Sequence, residues 1–222
     1  MKTTFKLPGI DTIFSQSLLS QCVSEDSDHL SLAANKYLSL INPLQDSHVL
    51  DLGTGCGILL LMLARYFTQP SYTGIELLES LTKMAEQNFK KLTSVVGQRQ
   101  YQFYTADYCD VEHLLGKNKY NLIISNPPHF QKNKGRINAT WEKSVARHEI
   151  VGSLAGLMIT IRNYLAPNGI AYVIYPEYRQ NEIKTLCAQY QLDVDPLVIY
   201  QSSTLKTKII YAINHKTQNS PC

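Results

Sequence analysis

The sequence predicts an α/β domain: a seven-stranded, mostly parallel sheet with helices on both faces and an antiparallel last strand. Three observations carry this. Short, near-continuously apolar segments alternate with stretches of helical periodicity, the pattern of strands buried on both faces of a parallel sheet. The last two apolar segments, 197–200 and 208–213, have no helix between them, so one must run against the rest. A chain of 222 residues suits one core, because single cores grow to roughly 250 residues before chains split.

The elements follow in order. Residues 1–27 read as an N-terminal extension without clear periodicity. Leu30, Ala33, Ala34, Tyr37, Leu38 and Ile41 recur at helical spacing, with Asp26 or Ser27 as N-cap and Asn42-Pro43 as the stop. A strand is expected over 48–52, a strongly apolar helix over 58–66, a strand over 72–75 and an amphipathic helix over 78–92. Strands over 101–104 and 122–124 come next, the second halted by Asn126-Pro127-Pro128, and a polar stretch occupies 129–149. A helix over 154–165 ends at Pro167-Asn168-Gly169, a strand over 170–175 and a helix over 177–190 follow, and the strand pair closes the domain. The domain is expected over 28–214, with 215–222 as a tail.

Composition narrows the class. Hydrophobic residues make up 44% and charged residues 18%, which excludes a disordered or collagen-like chain. Lys and Arg number 21 against 18 Asp and Glu, a formal charge of +3, so any nucleic-acid surface must concentrate its charge locally. No apolar run approaches the roughly 18 residues of a membrane helix, and the charged start of the chain has no apolar block after it. Cys22, Cys56, Cys109, Cys187 and Cys222 are scattered, odd in number and form no C-x-x-C pair, against a zinc site or a disulfide framework. The expectation is a cytoplasmic protein with no metal and no membrane partner; the sequence leaves its oligomeric state open, with a monomer as the working expectation.

Two motifs carry chemistry. In the first, Asp51-Leu52-Gly53-Thr54-Gly55-Cys56-Gly57 joins a strand to a helix. Alternate glycines let the backbone turn tightly and approach a ligand, and the helix start offers free N–H groups. The G-x-G-x-G spacing departs from the G-x-G-x-x-G of dinucleotide folds. Asp51 stands where a carboxylate can accept from a cationic amine. Glu76, at the end of the next strand, suits the two hydroxyls of a ribose, and Asp107, past the third, suits an adenine amino group. Ligands in such folds bind outside the carboxyl ends of the strands, where all three acids fall. This pattern resembles that of the S-adenosylmethionine-dependent methyltransferases of the Rossmann-like class.

In the second motif, Ser125-Asn126-Pro127-Pro128-His129-Phe130, two prolines stiffen a turn at a strand end and restrict Asn126. The amide oxygen of Asn126 and the carbonyl of Pro127 can each accept one N–H of an amino group. A ring-conjugated amine is a poor nucleophile because its lone pair is delocalised. Two fixed acceptors favour a pyramidal nitrogen and relieve the positive charge that develops during attack. The turn resembles the N-P-P-aromatic signature of enzymes that methylate planar amino or amide nitrogens. That signature has Tyr or Phe after the second proline; here His129 stands there and Phe130 follows, and either one supplies the stacking surface.

The polar stretch 129–149 holds Lys132, Lys134, Arg136, Lys143 and Arg147 against Glu142 and Glu149. A basic loop beside a base-sized pocket suits phosphate contacts. Lys206 and Lys208, flanking the last strand, either extend a basic face or are solvated.

D-L-G-T-G-C-G, S-N-P-P and Ala146-Arg147-His148-Glu149 together resemble the bacterial tRNA1(Val) adenine-N6 methyltransferase family, a Rossmann-like class I group. The likeness runs from Asp28 to the final strand pair. It implies S-adenosylmethionine as cofactor, held by Asp51, Gly53, Thr54, Gly55, Gly57, Glu76, Asp107 and Asn126. It implies catalysis at Asn126, Pro127, Pro128 and His129, and a tRNA substrate, for which Phe130, Lys132, Lys134 and Arg136 are the candidate contacts; Arg147 and His148 either face the substrate or anchor the loop. The implied target is the adenine N6 just 3′ of the anticodon. A protein glutamine methyltransferase and a non-catalytic RNA-binding module of the same fold are the alternative readings.

Overall fold

The computed structural model describes residues 2–17, 23–41, 47–117, 119–127 and 153–216. Within them, β3 (His48–Leu52), β4 (Ser71–Glu76), β5 (Gln100–Thr105), β6 (Tyr120–Ser125), β7 (Leu165–Pro176), β8 (Leu192–Gln201) and β9 (Thr207–His215) form one seven-stranded sheet of order β5-β4-β3-β6-β7-β9-β8. Neighbours from β5 through β7 pair in parallel, whereas β9 runs antiparallel to both β7 and β8. The expected reversed strand is therefore the last, inserted one place in from the edge. The order reverses at β3, and the crevice outside the strand ends there is where ligands bind in open sheets.

Period-two alternation assigns each strand residue to one of two cores. Val49, Leu122, Ile124, Tyr172, Ile174, Ile210 and Ala212 face α1 (Glu25–Ile41), α2 (Ile58–Ala64) and α3 (Glu79–Val96). Leu50, Leu52, Ile123, Val173, Ile209, Tyr211 and Ile213 face α4 (Leu154–Tyr164) and α5 (Gln180–Gln189). All seven residues of α2 are buried, so this helix needs cover on every side.

Part of that cover comes from a hairpin, β1 (Lys2–Lys6) with β2 (Ile13–Ser17), in the stretch that shows no periodicity in sequence. Phe14 and Leu7 join the apolar cluster of α2, and Phe5 stacks on Phe14 with ring centroids 5.5 Å apart. Burying one such side chain stabilises by about 1.5–3 kcal/mol.

Three local expectations are corrected. Neither Asp26 nor Ser27 caps α1: both lie inside the helix, and the hydroxyl of Ser24 accepts from Ser27 N at 3.4 Å. The strand after α4 starts at Leu165 instead of residue 170, because Leu165 pairs with Tyr120 and a register shift absorbs the Pro-Asn-Gly turn. Gly169 is required there, since a Cβ would sit 2.8 Å from the Tyr120 carbonyl oxygen. Lys208 is not a free rim cation: it pairs with Asp26, which also accepts from the Tyr200 hydroxyl at 2.6 Å. Among the described residues no helix is long and apolar enough to cross a membrane, and no cluster of three or more His, Cys, Asp or Glu could hold a metal ion.

Candidate active site

Asp51, Glu76, Asp107 and Asn126 come from the carboxyl ends of four adjacent strands, β3, β4, β5 and β6. The register sets Asp51 of β3 between Gly74 of β4 and Ile124 of β6. Beyond Asp51 the chain turns through Gly53, Gly55 and Gly57, with φ of 78°, 58° and 83°, a region that glycine enters without strain. Gly53 and Thr54 both donate their amides to the Ile75 carbonyl at 2.9 Å, which ties the loop to the end of β4.

The acids organise this loop. Asp51 is fully buried, and its Oδ2 accepts from the Thr54 hydroxyl at 2.8 Å. Its Oδ1 is buried with no hydrogen-bond partner among the described residues. Burial pushes the Asp51 carboxyl up to about 7; the Thr54 hydrogen bond opposes that rise and the Glu76 charge adds to it. Glu76 Oε2 accepts from Gly55 N at 2.8 Å and Oε1 from Leu78 N at 3.0 Å. With about four acceptor sites, the carboxylate keeps room for a further donor. Burial raises the Glu76 carboxyl as well, against the backbone N–H groups of Leu78, Gly55 and Leu77.

Asp107 Oδ1 accepts from Cys109 N at 2.9 Å, a turn that holds the acid at the mouth of β5. Asn126 lies just past β6 and is 8% exposed, and its Oδ1, like Asp51 Oδ1, is buried without a hydrogen-bond partner among the described residues. Pro127 follows it; Pro128, His129, Phe130, Lys132, Lys134, Arg136, Arg147 and His148 lie outside the described residues.

The structure thus brings together Asp51, Gly53, Thr54, Gly55, Gly57, Glu76 and Asn126, with Asp107 one strand further out. Three contributors have no role assigned from the sequence. Ser125 Oγ donates to the Leu52 carbonyl at 2.7 Å and draws the Asn-Pro turn against the glycine loop. Gly74 leaves room for the loop, since a Cβ there would lie 2.9 Å from Thr54 Cγ2 and 2.5 Å from the Phe103 ring. Asn88 of α3 donates to the Cys56 carbonyl at 3.0 Å. The signal for Ser125 and Gly74 was position: a small residue at the end of a buried strand, beside a glycine turn.

The seven-stranded sheet is also the fold of solved structures, and the sequence matches known proteins. The sequence pattern of the methyltransferase small domain matches residues 27–166. The tRNA1(Val) (adenine(37)-N6)-methyltransferase of Porphyromonas gingivalis is 33% identical over 148 residues, covering 65% of this chain and 56% of that protein. The protein of the same name from Shewanella sediminis is 28% identical over 190 residues, covering 80% of this chain and 73% of that one. The chain thus spans little more than half the length of the first of these relatives. Among solved structures, TYW2 of P. horikoshii in complex with MeSAdo shares the fold, with a TM-score of 0.62 at 16% identity over 96% of this chain and 70% of that one. With 140 of its 222 residues inside the matched pattern, the chain belongs to the methyltransferase small domain family.

Proposed function

We propose that this chain transfers a methyl group from S-adenosylmethionine to the N6 amino group of an adenine in tRNA, the adenine 3′ of the anticodon of tRNA1(Val) being the specific target. The reading takes its methyl chemistry from the family and its substrate from the names of the relatives. One observation carries it: the buried side-chain oxygen of Asn126, held beside the glycine loop with no hydrogen-bond partner among the described residues.

The residues fit the cofactor. Asp51 Oδ1, buried with no hydrogen-bond partner among the described residues, suits the ammonium of its amino acid part, and the remaining acceptor capacity of Glu76 suits a ribose hydroxyl. Asp107 suits the adenine amino group, and Gly53, Thr54, Gly55 and Gly57 bring the backbone close. When bound, S-adenosylmethionine supplies a sulfonium methyl as electrophile.

The chain's part is to bind and orient the acceptor. Asn126 Oδ1 and the Pro127 carbonyl each accept one N–H of the substrate amino group and aim its lone pair. Their fixed dipoles stabilise the charge that grows on the nitrogen. No strong base is needed, since a methylated ammonium is acidic enough to lose its proton afterwards. An unpaired base reaches this turn at lower unstacking cost than a paired one. Pro128 stiffens the turn, His129 or Phe130 stacks on the base, and Lys132, Lys134, Arg136, Arg147 and His148 meet the RNA. The working unit takes in the β1–β2 hairpin and the whole of α1 and β9 together with the expected 28–214, and it acts in the cytoplasm.

The test is methyl transfer from labelled cofactor to unmodified tRNA and, separately, to a glutamine peptide, with the modified nucleoside mapped. N6-methyladenosine in tRNA is expected. Label in the peptide alone would move the assignment to a protein glutamine methyltransferase, and label in neither would end the catalytic reading.

A further inference from the structure

Asn88 sits in the middle of α3 with no exposed surface. Its amide makes three backbone hydrogen bonds: Oδ1 accepts from Ser15 N at 2.8 Å, and Nδ2 donates to Ser15 O at 2.7 Å and to Cys56 O at 3.0 Å. Both amide protons are used. Ser15 belongs to β2, and Cys56 lies between the last two glycines of the loop. One side chain therefore bridges the N-terminal hairpin and the glycine loop. Toward the hairpin it pairs like a neighbouring strand, meeting the N–H and C=O of one residue.

The hairpin is held there independently. Lys91 Nζ donates to Ile13 O at 3.1 Å, Arg65 Nη1 donates to Pro8 O at 2.9 Å, and Phe14 is wholly buried. The loop has little slack on the α3 side, where a Cβ on Gly57 would lie 3.2 Å from Ala85 Cβ. A buried amide with all its partners resists displacement, because moving it strands several polar groups at once.

We propose that the β1–β2 hairpin, which precedes the matched family pattern, is a working part of the cofactor site: through Asn88 it fixes the Cys56 carbonyl and so the orientation of the loop amides at Gly55–Gly57. Asn88 is a positioning residue that acts through the loop. The functional consequence rests on the reading that this loop receives S-adenosylmethionine.

The test compares the full chain with Ser15→Pro and Asn88→Ala. Ser15→Pro removes the N–H that faces Asn88 and sets the ring Cδ against Asn88 Oδ1, and proline is tolerated where an edge N–H is not part of the ladder. Amide exchange at residues 55–57 is read without ligand, and S-adenosylhomocysteine binding is read by calorimetry. Both variants should exchange about tenfold faster at the loop and bind about tenfold more weakly, the scale of one buried hydrogen bond lost. Protection in β6 and β7 should stay at the parent level. Parent-level loop exchange in Ser15→Pro overturns the proposal. So does loss of protection throughout β6 and β7 in Ser15→Pro, which would make the hairpin a folding element. Should Asn88→Ala unfold, Ser15→Pro alone decides. A parent protein that does not bind S-adenosylhomocysteine, with a loop that still loosens in Ser15→Pro, would refute the cofactor reading and leave the positioning role standing.

Discussion

Asp51 is a carboxylate in a place that disfavours its charge. Burial pushes its carboxyl up to about 7 and raises Glu76 in the same direction. The sign follows. A carboxyl whose folded pKa lies above its unfolded value contributes stability below the ordinary carboxylate range and loses it as pH rises through the folded value. The ligand-free protein should lose thermal stability between about pH 4 and pH 8, and Asp51→Asn should flatten that loss. An ammonium placed against Oδ1 favours the ionised form, so affinity for S-adenosylhomocysteine should climb through pH 7. Affinity for 5′-methylthioadenosine, which has no ammonium, should stay flat over the same range; parallel curves would remove Asp51 from that contact. Asn126→Ala should lower kcat by roughly 100- to 1,000-fold, the scale of one lost transition-state donor or acceptor, with cofactor affinity near the parent value. Asp51 and Asn126 are legible in sequence because each stands next to an unusual backbone signal, the glycine run and the paired prolines. Asn88 is not, since a polar residue inside an amphipathic helix reads as solvated until a hairpin from 73 positions away covers it.

Among elements, the best-read ones bury a continuous apolar run between two layers, as β3 and β6 do. The hairpin is hidden because its strands, KTTFK and IFSQS, bury few side chains and owe their place to Leu7, Phe14 and the Asn88 bridge. One sign was present: a helix apolar on all sides, at 58–64, demands more cover than a sheet and two flanking helices provide. The early start of β7 is hidden by Pro167, Asn168 and Gly169, turn residues that the sheet accommodates through its register shift. Element packing also fixes how the glycine loop meets β4 and β5. Phe103 is held by Phe89 at 5.1 Å and Tyr101 at 6.0 Å between ring centroids, so it cannot retreat from a methyl group at Gly74. Gly74→Ala should therefore destabilise by about 1–3 kcal/mol, as overpacking does, and lower the Tm by several degrees in a thermal melt. Because the same methyl presses on Thr54, cofactor affinity should fall with it; an unchanged Tm would mean the strands separate more easily than this packing implies.

At the scale of the whole molecule, the sheet order gathers Asp51, Glu76 and Asp107, the acids proposed to hold the cofactor, with Asn126 at one end of β3, β4, β5 and β6, and the same end bears the first residues of α1. There Asp26 engages both Lys208 and Tyr200, while His29 lies against the Tyr200 ring with centroids 4.1 Å apart. Lys6 pairs with Asp11, Lys83 with Glu79 and Arg179 with Glu182. Residues 129–149, outside the described part, hold five basic and two acidic residues, a surplus equal to the formal charge of +3 of the whole chain. The remainder is balanced, so long-range attraction for a polyanion must come from that one segment or from local patches that opposite charges elsewhere cancel. Counterion release tells the two apart. Neutralising a phosphate contact on a single strand lowers the slope of log affinity against log salt by about 0.7. Replacing Lys132, Lys134 and Arg136 together by glutamine should therefore flatten the tRNA-binding slope by about 2 and raise the KM for tRNA at physiological salt. S-adenosylhomocysteine affinity and kcat at saturating tRNA should stay near the parent values, because the acids proposed to hold the cofactor, Asp51, Glu76 and Asp107, lie outside that segment. A triple variant with the parent slope would show that the segment is solvated in the complex and that the RNA follows a different face of the sheet.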